Sequence, residues 1–169
     1  MYFSTCSVLE PGAHSPYVAH KRAMEEAVRR LRPHLIVRLP QVVGRSHNPA
    51  TLVNFFVQQI RTGTEFELWV HAQRNLIDVD DVVKIVTHIL ETGSIRNDTV
   101  DIASPFNVRA EELLHMIEEI LGKRAVARKV HAGGAVTIDT ARLLPLFAEC
   151  GVNFPPDYVQ RVLRKHLTE

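Results

Sequence analysis

The sequence predicts an α/β fold with parallel strands, and three observations carry the prediction. His34-Leu35-Ile36-Val37-Arg38-Leu39-Pro40 is a nearly continuous apolar run, the pattern of a strand covered on both faces. Before it, Tyr17, Lys21, Met24, Val28 and Leu31 recur at helical spacing. Before that, the segment from Phe3 to Val8 is aromatic and β-branched, as short strands are. A strand, a helix and a second strand in this order form one right-handed parallel crossover. With 169 residues, 46% of them hydrophobic, the chain has the material for one core, which excludes a disordered or collagen-like polymer.

The elements follow in order. Pro11-Gly12 turns the chain, and Ser15-Pro16 supplies an N-cap and a proline at the first helical position. Pro33 closes that helix ahead of the apolar strand. Asn48-Pro49 repeats the cap-then-proline device, and Leu52, Phe55, Phe56 and Ile60 form the next apolar stripe, ending near Gly63. Two short strands are expected at 65–70 and 75–79. Asp80 is then placed to cap a helix carrying Val82, Val83, Ile85, Val86, Ile89 and Leu90, stopped by Gly93. A strand at 99–103, an amphipathic helix from Val108 to Leu121, a strand near 125–130, a helix near 140–150 and a last helix after Pro155-Pro156 complete the pattern. No internal repeat or low-complexity linker interrupts it.

Charge and cysteine content remove whole classes of function. A net charge of +1 gives no basic field for nucleic acid. No segment has the length and apolarity of a membrane span or the make-up of a secretion signal, so no membrane partner is expected. Cys6 and Cys150 do not form a close pair, which argues against zinc binding and for a reducing, cytoplasmic setting. The nine histidines, His47 among them, lack ligand spacing, and no metal site is expected.

Tyr17 and Lys21 lie four apart, on one helix face. A fixed cation beside a phenol favours the phenolate and makes proton exchange with an alcohol or ketone feasible. Taken alone the pair decides nothing, because Tyr and Lys meet at this spacing in many solvated helices. Its setting is more telling. Phe3-Ser4-Thr5-Cys6-Ser7-Val8, Ser15-Pro16-Tyr17-Val18-Ala19-His20-Lys21, Arg38-Leu39-Pro40-Gln41-Val42-Val43-Gly44 and Arg74-Asn75-Leu76-Ile77-Asp78-Val79-Asp80-Asp81-Val82-Val83 occur in this order. Together they resemble the C-terminal half of an extended short-chain dehydrogenase/reductase of the NAD-dependent epimerase/dehydratase family, which acts on nucleotide sugars.

That resemblance implies the C-terminal part of a Rossmann-like parallel sheet plus a small mixed α/β substrate-binding lobe, in a single incomplete domain. Residues 1–63 and 75–93 would form the Rossmann-like part, and 64–74 with 94–169 the lobe. It implies Tyr17 as general acid/base, Lys21 as the group that holds the nicotinamide ribose and favours the phenolate, and Thr5 as the hydroxyl on the reacting sugar oxygen, with Ser4 and Ser7 as local alternatives. The plainer reading of Thr5 is a strand end that caps its own turn. Leu39, Pro40 and Gln41 would lie beside the nicotinamide in a cofactor-side turn, while Ser7 and Arg74 would bind substrate, Arg74 at the diphosphate. Arg74 also fits an exposed surface position, and Asp80 and Asp81 read as helix caps. Cys6-Ser7 stands where 4,6-dehydratases of the family carry an Asp-Glu pair, which disfavours that subtype.

The family's cofactor is NAD or NADP. No Gly-x-x-Gly-x-x-Gly turn occurs in the sequence, so the chain by itself is expected to hold neither, and to be inactive alone. The expected function is an NAD(P)-dependent nucleotide-sugar epimerase or reductase in truncated form; the alternative is a non-catalytic module that binds a sugar nucleotide or a partner. A complementary N-terminal half or a second copy, as a homodimer, is expected at an unpaired edge of the 3–7 strand.

Overall fold

The computed structural model describes residues 1–12, 14–46 and 48–168; His47 lies outside the described residues. In chain order the elements are β1 (Tyr2–Thr5), α1 (Pro16–Arg29), β2 (Leu35–Leu39), β3 (Gln41–Val43), α2 (Leu52–Thr62), β4 (Phe66–Trp69), β5 (Gln73–Arg74), β6 (Leu76–Asp78), α3 (Val79–Thr92), β7 (Asp98–Asp101), β8 (Val108–Arg109), α4 (Ala110–Leu121), β9 (Ala127–Val130), α5 (Leu144–Glu149) and α6 (Tyr158–Leu167). The mixed α/β character and the parallel pairing agree with the sequence reading. They distribute over two compact units.

The first unit comprises Met1–Pro40, Val79–Pro105 and Val136–Asn153. Its sheet has the order β1-β2-β7, all parallel, with Phe3 opposite Val37 and Arg38 opposite Asp101. The apolar run is explained by its place: β2 is the middle strand, and Ile36 and Val37 are wholly buried. α1 starts where expected, because the Ser15 hydroxyl accepts from the Val18 N–H at 3.2 Å and Pro16 occupies the first turn. α3 buries Val82, Ile85, Val86 and Ile89, a stripe at helical spacing.

The second unit comprises Gln41–Asp78, Phe106–Ala135 and Phe154–Glu169. β3 pairs with β6 and β4 with β9, both parallel, and β5 pairs with β8 antiparallel. α2, α4 and α6 supply Phe56, Ile60, Leu113, Ile117, Val162 and Leu163 to one apolar core. Phe55 meets Phe66 edge-on at 5.4 Å. Gly63 and Gly122 end α2 and α4 at φ 70° and 62°, the left-handed geometry that closes a helix.

Several elements depart from expectation. The first strand stops at Thr5, and Cys6–Leu9 coil into a short 3-10 turn that the Thr5 side chain caps. α2 begins at Leu52, because Asn48 spends its side chain on the Ala50 N–H at 3.0 Å in a turn of its own. Asp80 is not the cap of α3: the helix starts at Val79, and Asp80 and Asp81 sit in its first turn, where acids suit the helix dipole. Of the turn expected at Leu39 to Gln41, Leu39 is still in β2 and Gln41 opens strand β3. The unit boundaries also differ from the expected 1–63 plus 75–93 and 64–74 plus 94–169 division, since Asp98–Asp101 of the supposed lobe pairs with β2.

Candidate active site

Thr5 ends β1 directly opposite Leu39, the last residue of β2. Both therefore stand at the carboxyl ends of parallel strands, the side on which open α/β sheets bind ligands. Pro40 follows Leu39 as the last residue of the first unit; Gln41 opens the second, its N–H donating to the Asn75 carbonyl at 3.1 Å. The Thr5 hydroxyl donates to Ser7 Oγ and accepts from the Ser7 N–H, each at 3.2 Å. In this state Thr5 and Ser7 cap their own turn, the plainer of the two readings.

On α1 the row Tyr17, Lys21, Glu25 runs from solvent into the core. Tyr17 is 56% exposed, Lys21 half-buried and Glu25 only 1% exposed. Lys21 Nζ lies 5.8 Å from the Tyr17 ring centre and 4.9 Å above the Tyr2 ring, and donates to the Phe3 carbonyl at 2.9 Å. Lys21 thus reaches from the helix to β1, beside the strand end that bears Thr5. Tyr17, more than half exposed, is not packed into the core.

Glu25 is the residue that sequence reasoning missed. Its carboxylate accepts from Ser4 Oγ at 2.6 Å, from Arg29 at 2.7 Å, and from Arg38 Nε and Nη2 at 2.9 and 2.7 Å. Burial opposes its ionisation, yet the bonds from Arg38, Ser4 and Arg29 hold the carboxyl below the usual carboxylate range. Ser4, a local alternative to Thr5, is committed to this network and buried. Arg38 also pairs with Asp101 at 3.6 Å, whose carboxyl is raised by burial against the pull of Arg38. Cys6 is buried, and burial pushes its thiol up to about 12, which keeps it from acting as a nucleophile. The signal for Glu25 was an arginine inside an apolar strand, since a buried guanidinium requires a carboxylate.

The second unit holds its own cleft. Leu52, Phe55, Phe56, Leu68, Trp69, Ala72, Ala110, Glu67 and Arg74 line a cavity of about 140 Å³. A cavity of roughly 150 Å³ accepts one benzene-sized ring. Arg74 Nη1 donates to the carbonyls of Gln73 at 2.8 Å and Gly134 at 3.4 Å, which aims the side chain. Gly133 makes this possible: at φ +98° it packs so tightly that an added Cβ would fall 2.7 Å from Ala72. Trp69, 47% exposed on the outer face of β4, was not singled out in the sequence either, although alternation with buried Phe66 and Leu68 marks it as facing outward.

The model for the NAD dependent epimerase/dehydratase family matches residues 3–103, more than half of the chain. No curated protein sequence matches it. Among solved structures, an enzyme of Bordetella bronchiseptica, WbmH, in complex with NAD+ is similar at a TM-score of 0.78 and 18% identity, over 98% of this chain and 60% of its own. A tyrosine-to-phenylalanine mutant of UDP-glucuronic acid 4-epimerase from Bacillus cereus, in complex with a fluorinated UDP-sugar and NAD, gives 0.77 and 18%, over 98% and 60%. dTDP-glucose 4,6-dehydratase of Bacillus anthracis in complex with NAD gives 0.76 and 17%, over 98% and 59%. At these identities the likeness is one of fold, and the chain spans about 60% of the length of these relatives.

Proposed function

Because the chain belongs to the NAD dependent epimerase/dehydratase family, we propose that it is the proton-transfer and sugar-nucleotide part of an NAD(P)-dependent nucleotide-sugar epimerase or reductase. The observation that carries this reading is the meeting of Tyr17 and Lys21 at β1, beside the Thr5 and Leu39 strand ends. Tyr17 exchanges a proton with the sugar hydroxyl that is oxidised or re-formed. The Lys21 ammonium holds the ribose and favours the phenolate, and Thr5, once turned from Ser7, hydrogen-bonds the same sugar oxygen. Leu39, Pro40 and Gln41 flank the nicotinamide. When bound, the nicotinamide supplies the hydride acceptor and donor.

These residues fit the nicotinamide end of a dinucleotide and nothing beyond it. The glycine turn that would take the pyrophosphate is not in the sequence. A few hydrogen bonds at about 0.5–1.5 kcal/mol each do not offset a loss of about 4 kcal/mol or more in translational and rotational freedom. The chain alone therefore does not retain the cofactor, and a second, glycine-rich half completes the site. Two free thiols, Cys6 and Cys150, suit a reducing cytoplasm, and no helix among the described residues is long and apolar enough to cross a membrane.

The substrate's nucleotide belongs in the second unit's cleft, with the base against Phe55 and Trp69 and the diphosphate on Arg74. Calorimetric titration with UDP-glucose, alongside quenching of Trp69 fluorescence, tests this assignment. Wild type binds, and Arg74→Ala weakens binding about 10-fold or more, the loss of one charge-assisted bond. Binding unaffected by Arg74→Ala would refute it. A non-catalytic binding module is the second reading, and one observation favours it: the Thr5 hydroxyl is spent on Ser7 and Lys21 on a backbone carbonyl.

A further inference from the structure

Trp69 ends β4 and Val130 ends β9, but the two segments stay joined beyond their paired strands. The Val70 N–H donates to the Val130 carbonyl at 3.0 Å, the His71 N–H to Ala132 at 3.1 Å and the Gln73 N–H to Gly134 at 3.0 Å. Gly133, close-packed on Ala72, pins the same stretch. This frame sets His71 and His131, far apart in the sequence, side by side, with ring centres 5.5 Å apart and planes tilted by 44°. Both residues are exposed. Among the described residues neither imidazole takes part in a hydrogen bond or an ion pair, so the nitrogens of both rings are open to a ligand.

The neutral imidazole is the commonest metal-binding side chain. A Zn–N bond of about 2.0–2.1 Å puts the centre of the ring roughly 3.2 Å from the ion, so two rings on one tetrahedral ion stand roughly 5.2 Å apart. The observed 5.5 Å is close to that spacing, and the torsion that aims each exposed ring is soft. We propose that His71 and His131 form a site for one divalent transition-metal ion, Zn2+ or Cu2+, which bridges the 70–73 and 130–134 segments. No third His, Cys, Asp or Glu joins the pair among the described residues, so water completes the coordination and the ion keeps open positions. Because the backbone frame is already hydrogen-bonded, binding has only side-chain freedom to restrict. Imidazole suits Zn2+ and, more strongly, Cu2+, whereas Mg2+ requires oxygen ligands. The pair escapes a search for ligand spacing because its members stand on separate segments that meet only through the pairing of β4 with β9. The rival reading is a packed ring pair that binds nothing.

The test titrates the full chain with Zn2+ by calorimetry and by NMR of the histidine rings. The ring signals of His71 and His131 move together at the same concentrations, and Tm rises because the ion binds the folded protein. Cu2+ binds more tightly than Zn2+ and quenches Trp69, the one tryptophan, which lies close to His71 in the chain; Mg2+ does neither. His71→Phe and His131→Phe each keep an aromatic ring in place and remove a ligand. Each therefore weakens Zn2+ binding by about 10- to 100-fold or more, since even the loss of a ligand's hydrogen-bond partner costs that much. Each also cancels the rise in Tm. Zn2+ affinity unchanged in either variant, movement of one ring signal of the pair without the other, movement of other histidines in their place, or Mg2+ binding that matches Zn2+ overturns the proposal. The wild-type ring signals decide the matter even where a variant fails to fold. No nucleotide or sugar enters these readouts, so failure of the proposed function would leave this inference standing.

Discussion

Replacing Arg38 by methionine removes the two-pronged partner of a carboxylate that is 1% exposed. Breaking a buried ion pair from one side costs about 3–5 kcal/mol, because the remaining charge stays desolvated. Here Ser4 at 2.6 Å and Arg29 at 2.7 Å still reach Glu25, so the loss belongs at the lower end, about 3 kcal/mol. For a chain of this size that lowers Tm by about 6–12 °C. The pH dependence is the sharper signature. In the wild type the Glu25 carboxyl lies below its usual range, so its stabilisation is present above the unfolded value of about 4.3 and lost as pH falls through the folded value. In Arg38→Met, burial dominates and raises the folded carboxyl, so protonation relieves the variant. Urea denaturation from pH 7 down to about 4 should therefore show the two proteins converging. A loss below about 1 kcal/mol, or a gap that does not narrow on acidification, would refute the account of the network.

Asp101→Asn is expected to raise stability at pH 7, because burial already holds the Asp101 carboxyl above its usual range and its ionised form is the disfavoured one; the gain fades as pH falls through that raised folded value and is gone at the unfolded carboxyl value, which the same urea series measures. Gly133→Ala should cost about 2 kcal/mol in thermal unfolding, since φ +98° is strained for alanine and the new Cβ meets Ala72 at 2.7 Å. The same variant shifts Gly134, whose carbonyl holds Arg74, and should weaken UDP-glucose binding in calorimetry; undiminished binding would separate the loop from the cleft.

What the sequence reveals is governed by how local each signal is. The Ser15-Pro16 cap, the stripe of α3 and the buried run of β2 are written in consecutive residues, and all three stand in the structure. β3 is three residues long, too short for a period, and exists only by pairing with β6, far along the chain. The membership of β7 in the first sheet is likewise a non-local pairing. Tyr17 and Lys21 stand out only through the four ordered segments that include them, not through spacing alone. Glu25 does not, because an acid on a polar helix reads as solvated until Arg38, thirteen residues away, is seen beside it. Trp69 carries an outward-facing signal in its alternation, but its cleft is assembled from α2, β4, β5 and α4 and has no signature in any one of them.

In the proposed function, Tyr17 moves a proton on a sugar oxidised by a nicotinamide. The most direct measurement combines the full chain, a glycine-rich dinucleotide-binding half, NAD+ and UDP-glucose in a single-turnover reaction, and follows the absorbance of reduced nicotinamide and the configuration of the recovered sugar. Wild type should reduce NAD+ and return an altered sugar, and Tyr17→Phe should slow the step by about 100-fold or more while UDP-glucose binding persists. Equal rates for the two proteins, or no reduction when both ligands are demonstrably bound, would contradict it.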